Sequence, residues 1–431
     1  MTLPYRLAVG ALRLVAPVLA SGDSKLARGM AGREATHQRL AEWGRRGRDP
    51  ARPLVWFHAP SVGEGLQARA VIDALRAGVP DLQVVYTFFS PSAETFASRL
   101  DADVTDYLPW DLAGPCRQVL DAVGPDALVF TKTEVWPVLV EEAGRRGVPV
   151  AIVGATVPEG AGRMRWPARA LLRPTWRRLQ LACANSEPDA SRLRALGVRD
   201  AALRVTGDPG IDSAAARFHA ADPEAPYLAP FAADPRSTVV AGSTWPSDED
   251  VLVPALRKVR SSVPKVRLVI APHEPDASHV DPLIARLREG GWAVRTLSEV
   301  EAAGQVADAD AVVVDRVGVL AHLYGVADAS FVGGGFHDAG LHSVLEPAAA
   351  GSPVVFGPGH RNARAAGDLL SLGGAKLATD ADTLADVLTT WLLDVAERNR
   401  TGGIGVAYIE GHRGAAARSA EHLVRLIEAR S

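Results

Sequence analysis

Cysteine is nearly absent from this chain of 431 residues, with Cys116 and Cys183 the only two. Two thiols in apolar helix-like and strand-like contexts cannot build a framework of bridges, so they read as buried thiols of a reducing compartment. An excess of one charge is lacking too: 47 Lys and Arg stand against 50 Asp and Glu, a formal net charge of −3. With no basic stripe interleaved with aromatics, that balance gives no pull toward nucleic acid. Long apolar runs are also missing. The best of them, residues 3–20, is short and broken by Arg6 and Arg13, which argues against a spanning helix. No small-residue cleavage pattern marks a secretory signal, and no short repeat or low-complexity tract is found.

What is present is an ordinary globular composition, 47% hydrophobic and 23% charged, long enough for about two to three domains of roughly 150 residues. Apolar runs of strand length alternate with helical patterns. In the first half they fall at 55–59, 83–87, 127–131, 149–154, 180–184 and 204–206, with helices at 66–77, 137–146 and 188–196. Residues 213–237 turn to Ala, Pro and Asp with little periodicity, which reads as a linker. Alternation then restarts at 239–243, 267–271, 293–295, 311–315, 329–333, 353–356 and 375–378. Repeated βαβ patterning implies parallel sheets covered on both faces. The expected architecture is therefore α/β, two Rossmann-like domains facing a cleft. The expected boundaries are a terminal segment 1–25, a first domain 26–212, the linker 213–237, a second domain 238–405 and a final helical segment 406–431 leaning back on the first.

The amino-terminal segment stands apart. Residues 1–50 carry nine Lys or Arg and four acids, a local balance of +5 against −3 for the whole. An apolar helix followed by a basic stretch suits an anionic membrane surface; a packed amphipathic helix with a solvated basic loop explains the pattern equally well.

Chemistry is legible in the turns. Ser61-Val62-Gly63-Glu64 lies between a buried strand and a helix, where open α/β sheets bind ligands, so Glu64 is expected to face substrate. The bland alternative is an acid that complements a helix dipole. Four later loops follow the same logic. Ser243 and Thr244 offer hydroxyls and backbone N–H groups to a phosphate, and Gly333, Gly334 and Gly335 would let a backbone approach a ligand. His342 and Glu346 open a helix whose positive end would face an anion, and Arg361 adds a guanidinium. His342 and Glu346 stand four apart, as a metal pair would, but no third ligand has compact-site spacing; no metal is expected.

These stretches carry a resemblance. WFHAPSVGE (56–64), YTFFSPS (86–92), TEVWP (133–137), VTGDPGID (205–212), AGSTWPSDE (241–249), IAPHEPD (270–276), VLAHLYGVADASFVGGGF (319–336) and LHSVLEPAAAGSPVVFGP (341–358) resemble, in order and across nearly the whole chain, the transferases of 3-deoxy-D-manno-oct-2-ulosonic acid (Kdo). The resemblance implies a GT-B type, inverting glycosyltransferase moving Kdo from CMP-Kdo to a lipid A precursor, without cofactor or metal. It makes Glu64 the catalytic base, with Ser61, Gly63, Glu134 and Trp136 on the acceptor side. It assigns Ser243, Thr244, His273, Gly333, Gly334, Gly335, His342, Glu346 and Arg361 to the donor, and implies peripheral or monotopic attachment at the cytoplasmic face of the inner membrane through the amino-terminal helix. Ser343 replaces the family's usual Asn, His273-Glu274 stands where many members carry Arg-His, and Gly154–Pro158 lacks the Asn-Ala-Arg commonly found there. Two other readings stay open: a related transferase or epimerase of the same fold using a UDP-sugar, and a non-catalytic envelope-assembly protein, against which the intact Glu64 argues.

Overall fold

A computed structural model describes residues 3–19 and 24–430. The chain forms two compact units. The first takes the chain up to Ser213 and again from Arg413 onward; the second is Ala214–His412.

The first unit is built on seven parallel strands, β1 Leu54–His58, β2 Gln83–Phe88, β3 Val104–Tyr107, β4 Ala127–Thr131, β5 Val150–Ala155, β6 Leu181–Ala184 and β7 Leu203–Val205. Their order is β3-β2-β1-β4-β5-β6-β7. Every residue of β1, β2, β4, β5 and β6 is buried, as expected of central parallel strands covered on both faces. Strand β3 went unread in the sequence because its four residues, VTDY, are only partly buried at the sheet edge.

Helix Val62–Gly78 buries Gly65, Ala68, Val71, Ile72 and Leu75, one face at helical spacing. Against it packs the last helix, Ala415–Glu428, through Ala416, Ala420, Leu423 and Ile427. Asp212 fixes the start of that last helix by accepting from the Gly414 and Ala416 N–H groups at 2.6 and 2.8 Å.

The second unit repeats the plan with β8 Thr238–Thr244, β9 Arg267–Pro272, β10 Val294–Thr296, β11 Ala311–Val313, β12 Ala329–Val332, β13 Val354–Phe356 and β14 Ala375–Leu377. The order is β10-β11-β9-β8-β12-β13-β14, all parallel. In each sheet the chain reverses its direction of travel across the sheet beside the first strand, between β1 and β4 and between β8 and β12. That switch point is where the loops at the strands' carboxyl ends part to leave a crevice.

Three boundaries differ from the sequence reading. Residues 213–237 are not a bare linker: helix Pro209–His219 runs into them, Ala229–Ala233 forms a short helix, and Leu228 and Phe231 are buried in the second unit's core. The final segment does not begin at 406, since helix Val395–His412 extends to the end of the second unit. At the amino terminus helix Leu3–Leu19 is followed by Lys25–Arg33; residues 20–23, inside the expected 1–25 segment, lie outside the described residues. Among the described residues no helix is long and apolar enough to cross a membrane.

Candidate functional site

Two loops meet at the switch point of the first sheet. After β1 the chain passes Ser61 into helix Val62–Gly78, which places Glu64 in the first turn. After β4 it runs Lys132-Thr133-Glu134-Val135-Trp136 before helix Pro137–Arg145. Lys132 has φ +68°, unusual for a residue with a side chain. Its backbone is held there by hydrogen bonds from its N–H to Val153 O (2.9 Å) and from Thr156 N–H to its carbonyl (3.2 Å).

The Lys132 ammonium lies 3.2 Å from Glu64 Oε1, and the Ser61 hydroxyl donates to Oε2. Burial pushes the Glu64 carboxyl up, but the Lys132 charge, the Ser61 hydroxyl and its own backbone N–H together leave it below the ordinary range. Glu134 moves the opposite way: burial and then the Glu64 charge raise it, against the pull of Arg163. Burial and charge thus move the two carboxyls in opposite directions, Glu64 down and Glu134 up.

The wall behind these acids is aromatic. Trp136 Nε1 donates to His58 Nε2 at 3.2 Å, while His58 Nδ1 meets the Thr87 carbonyl at 3.0 Å. Burial pushes that ring down to about 3, so His58 is a neutral spacer that aims Trp136. Phe89 stacks on Trp136 at 5.6 Å, and the buried Arg33 guanidinium lies over Phe89 at 4.5 Å. Gly63 is exposed beside Ser61 and contributes no side chain.

Lys132 was missed in the sequence because a lone lysine after a strand has no pattern; its partner is known only from the fold. Its removal tests the electrostatics. In Lys132→Met the strongest pull holding Glu64 down is gone and burial is less opposed, so the carboxyl rises and the acid limb of kcat/KM should move to higher pH. Lys132→Arg should restore part of the shift. Acid limbs that superimpose would show that the ammonium does not set the ionisation of Glu64.

In the second unit the loops after β8, β12 and β13 converge with 340–346. A Cβ on Gly333 would lie 2.7 Å from Thr244 Cα, one on Gly335 2.6 Å from Gly357 Cα, and one on Gly340 2.7 Å from the Asn362 amide. Gly334, at φ +91°, would strike the Gly340 carbonyl. The glycines are therefore needed first for backbone against backbone, and a side chain at Gly334 would break the loop packing rather than merely fill ligand space.

Part of the expected phosphate cradle is engaged within the protein. The fully buried Asp248 accepts from the N–H groups of Gly334 (2.7 Å), Trp245 (2.9 Å) and Phe336 (3.1 Å). Thr244 gives its hydroxyl to Glu249 at 2.9 Å. Those dipoles are spent on the protein's own carboxylates; Ser243, at φ +55°, stays half-buried. The signal for Asp248 lay in the stretch AGSTWPSDE, as the third residue of helix Pro246–Ser262, where an acid bonds back to its own N-cap.

What the loops do present is an aromatic platform and a carboxylate. Trp245 stacks on His337 at 4.1 Å and on the exposed His273 at 4.6 Å, and its indole N–H donates to His342 Nε2 at 3.1 Å. Burial, then neighbouring His273, drives His342 down to about 4, a neutral ring. His342 precedes the short helix Leu345–Ala349, and its Nε2 is taken by Trp245, so it does not pair with Glu346 on one helix face. Glu346 forms an ion pair with Arg217, and its Oε2 is buried without a hydrogen-bond partner. Arg361 is exposed; its neighbour Asn362 ties the loops instead, through both Leu341 backbone groups at 3.0 and 2.8 Å.

The sequence pattern described as 3-Deoxy-D-manno-octulosonic-acid transferase (kdotransferase) matches residues 34–213. The chain is 30% identical over 402 residues to a 3-deoxy-D-manno-octulosonic acid transferase of Bordetella pertussis, covering 89% of this chain and 90% of that one. Against the Haemophilus influenzae protein of the same name it is 26% identical over 404 residues, covering 91% and 92%. In fold alone it is similar to UDP-GlcNAc 2-epimerase from Neisseria meningitidis, with a TM-score of 0.60, 14% identity, and 88% and 100% of the two chains covered.

Proposed function

Because the chain belongs to the 3-deoxy-D-manno-octulosonic-acid transferase family, we propose that it is an inverting glycosyltransferase that moves Kdo from CMP-Kdo to a lipid A precursor in lipopolysaccharide synthesis, with Glu64 as its base. The observation that carries this role is the ionised Glu64 carboxylate, held by Lys132 and Ser61 at the carboxyl end of β1.

In the reaction an acceptor hydroxyl oxygen forms a bond to the anomeric carbon while the bond from that carbon to the CMP phosphate breaks, its electron pair leaving with CMP. The hydroxyl proton passes to Glu64. Glu134, on the same loop as Lys132, can hydrogen-bond a hydroxyl of the acceptor sugar, and Trp136 offers that sugar a flat apolar face. The donor falls to the second unit. Trp245, His273 and His342 give the base or sugar a stacking surface, and the unpartnered Glu346 oxygen suits a ribose hydroxyl. The decisive experiment incubates the protein with CMP-Kdo and a tetra-acylated lipid A precursor and weighs the lipid by mass spectrometry. Addition of Kdo is expected; binding of UDP in preference to CMP, with no Kdo added, would favour the epimerase-like alternative.

Membrane association at the cytoplasmic face is part of the proposal, with part of the basic charge turned inward. Four of the basic residues in 1–50 are engaged within the first unit: Arg6 with Glu141 at 2.9 Å, Arg39 with Asp106 at 2.7 Å, Arg33 with the Leu108 carbonyl at 3.1 Å and Arg48 with Gln83 at 3.0 Å. Arg13, Lys25, Arg28, Arg45 and Arg46 are exposed, and beside them stands apolar surface: Leu7, Leu14 and Val15 are 62%, 82% and 48% exposed on one helix. Deleting the helix would strip Tyr5 from the buried Asp111, so point changes are the cleaner test. Leu7→Ser with Leu14→Ser should reduce sedimentation with anionic vesicles at every salt concentration, since apolar insertion is not screened. Equal sedimentation of both proteins would make the helix an ordinary packed element.

A further inference from the structure

Tyr324 opens the short turn Tyr324–Val326, which packs on β8 and on helix Leu345–Ala349. Only 3% of the residue is exposed, yet its hydroxyl has no hydrogen-bond partner among the described residues. Buried hydroxyls are nearly always bonded. Here the donor is left over at a place where a ligand is expected.

That place is the carboxyl end of β8. A Cβ on Gly242 would collide with the Tyr324 hydroxyl, so the hydroxyl lies over the end of the strand, beside the switch point between β8 and β12 where a crevice opens. The next residue, Ser243, has φ +55° and interrupts the pairing of β8 with β9 between Gly242 and Thr244. Irregularities of this kind re-aim a strand's end beside functional sites.

The second group is Glu346, on the helix against which the turn packs. Arg217 holds its Oε1, while its Oε2 is buried without a hydrogen-bond partner. Burial first, and then the Glu346 charge, push the Tyr324 phenol far above its ordinary range, so it keeps its proton and can only act as a neutral donor or acceptor. Among the described residues no hydrogen bond joins the two side chains. A donor and an acceptor this close, unbonded to each other, suit two neighbouring hydroxyls, one accepting from the phenol and the other donating to the carboxylate. A phosphate would be repelled by Glu346; the vicinal diol of a ribose would not.

We propose that Tyr324 is a specificity-determining residue of the donor site, donating to one hydroxyl of the ribose diol while Glu346 accepts from the other, so that ribonucleotides are told from deoxyribonucleotides. This rests on the reading of a nucleotide-sugar donor given above, and it deepens that reading by naming a second group that reads the ribose.

The test measures binding by calorimetry, with full-length wild type and Tyr324→Phe against CMP, 2′-deoxy-CMP and 3′-deoxy-CMP. The substitution removes one oxygen and breaks no hydrogen bond within the protein, so the unfolding midpoint should not fall. Wild type should prefer CMP over each deoxynucleotide by about five- to tenfold or more, as expected when a hydrogen bond is lost. In Tyr324→Phe the affinity for CMP should fall by about the same factor. For the deoxynucleotide that lacks the hydroxyl Tyr324 meets, the two proteins should agree within about twofold, since neither can make the bond. Equal losses for all three ligands, or an unchanged CMP affinity, would overturn the proposal. So would a wild type indifferent to both deoxynucleotides, a result that does not need the variant to fold. A loss confined to CMP-Kdo, with CMP unaffected, would overturn it too by placing the hydroxyl against the sugar acid. UMP and its deoxy forms run in parallel. If only the uridine series binds, the Kdo-transfer reading fails while the same comparison still decides the role of Tyr324.

Discussion

A Glu64→Gln protein should lose turnover by about a hundredfold or more while its affinity for CMP changes by no more than about twofold, because every residue argued to contact the donor belongs to the second unit. The substitution keeps size and shape. Lys132 can still donate to the amide oxygen, and the Ser61 hydroxyl can turn to accept from the amide NH2, so the loop after β1 keeps its place, but no carboxylate remains to take the proton. A second readout separates lost chemistry from lost structure. The Glu64 charge is, after burial, the cause that raises Glu134; in Glu64→Gln that contribution vanishes and the Glu134 titration should move down. Its movement, followed by carboxyl NMR, would show the two groups still adjacent in a folded site. Near-normal turnover in a variant that binds CMP normally would remove Glu64 from the mechanism.

Such a prediction could be framed from sequence because strand, turn and helix are written in strong local terms. Leu54–His58 is a continuous apolar run and Ser61–Glu64 a turn, and the structure keeps both. Parallel central strands are buried on both sides, so their hydrophobic signal survives without knowledge of neighbours; β3, half-exposed at an edge, gives no such signal. The stretch 213–237 reads as a linker because Ala and Pro hide the few residues, Leu228 and Phe231, that anchor it in the second core.

Side-chain partnerships over long separations are the part sequence does not carry. Nothing in Lys132 announces Glu64, and nothing in Arg217 announces Glu346, 129 residues away. The glycine loop is the instructive case. Three consecutive glycines after a strand invite the reading of a ligand cradle, yet the same freedom from a Cβ serves equally when the close neighbour is another loop. Only the position of Asp248 decides which use is made of the N–H groups.

That decision supports the other large effect, in Asp248→Ala. The carboxylate receives three N–H groups, from Trp245, Gly334 and Phe336, with no solvent access of its own. Each buried N–H left without a partner costs about 1–3 kcal/mol, so the variant should lose about 3 kcal/mol or more of stability, read as a lowered unfolding midpoint in denaturant. CMP binding should fall with it, because Asp248 ties the Trp245 loop to the glycine loop, on which His342 also rests through its N–H to the Gly333 carbonyl (3.1 Å). The charge argument is sharper than the count. A carboxylate already occupies one N–H of the glycine loop, that of Gly334, and a phosphate at that N–H would meet strong repulsion. If Asp248 is the resident anion, formate added to Asp248→Ala should recover part of the lost stability by filling the vacated position, while wild type should not respond. A variant as stable as wild type that still binds CMP would return those N–H groups to the donor phosphate and restore the cradle that the sequence suggested.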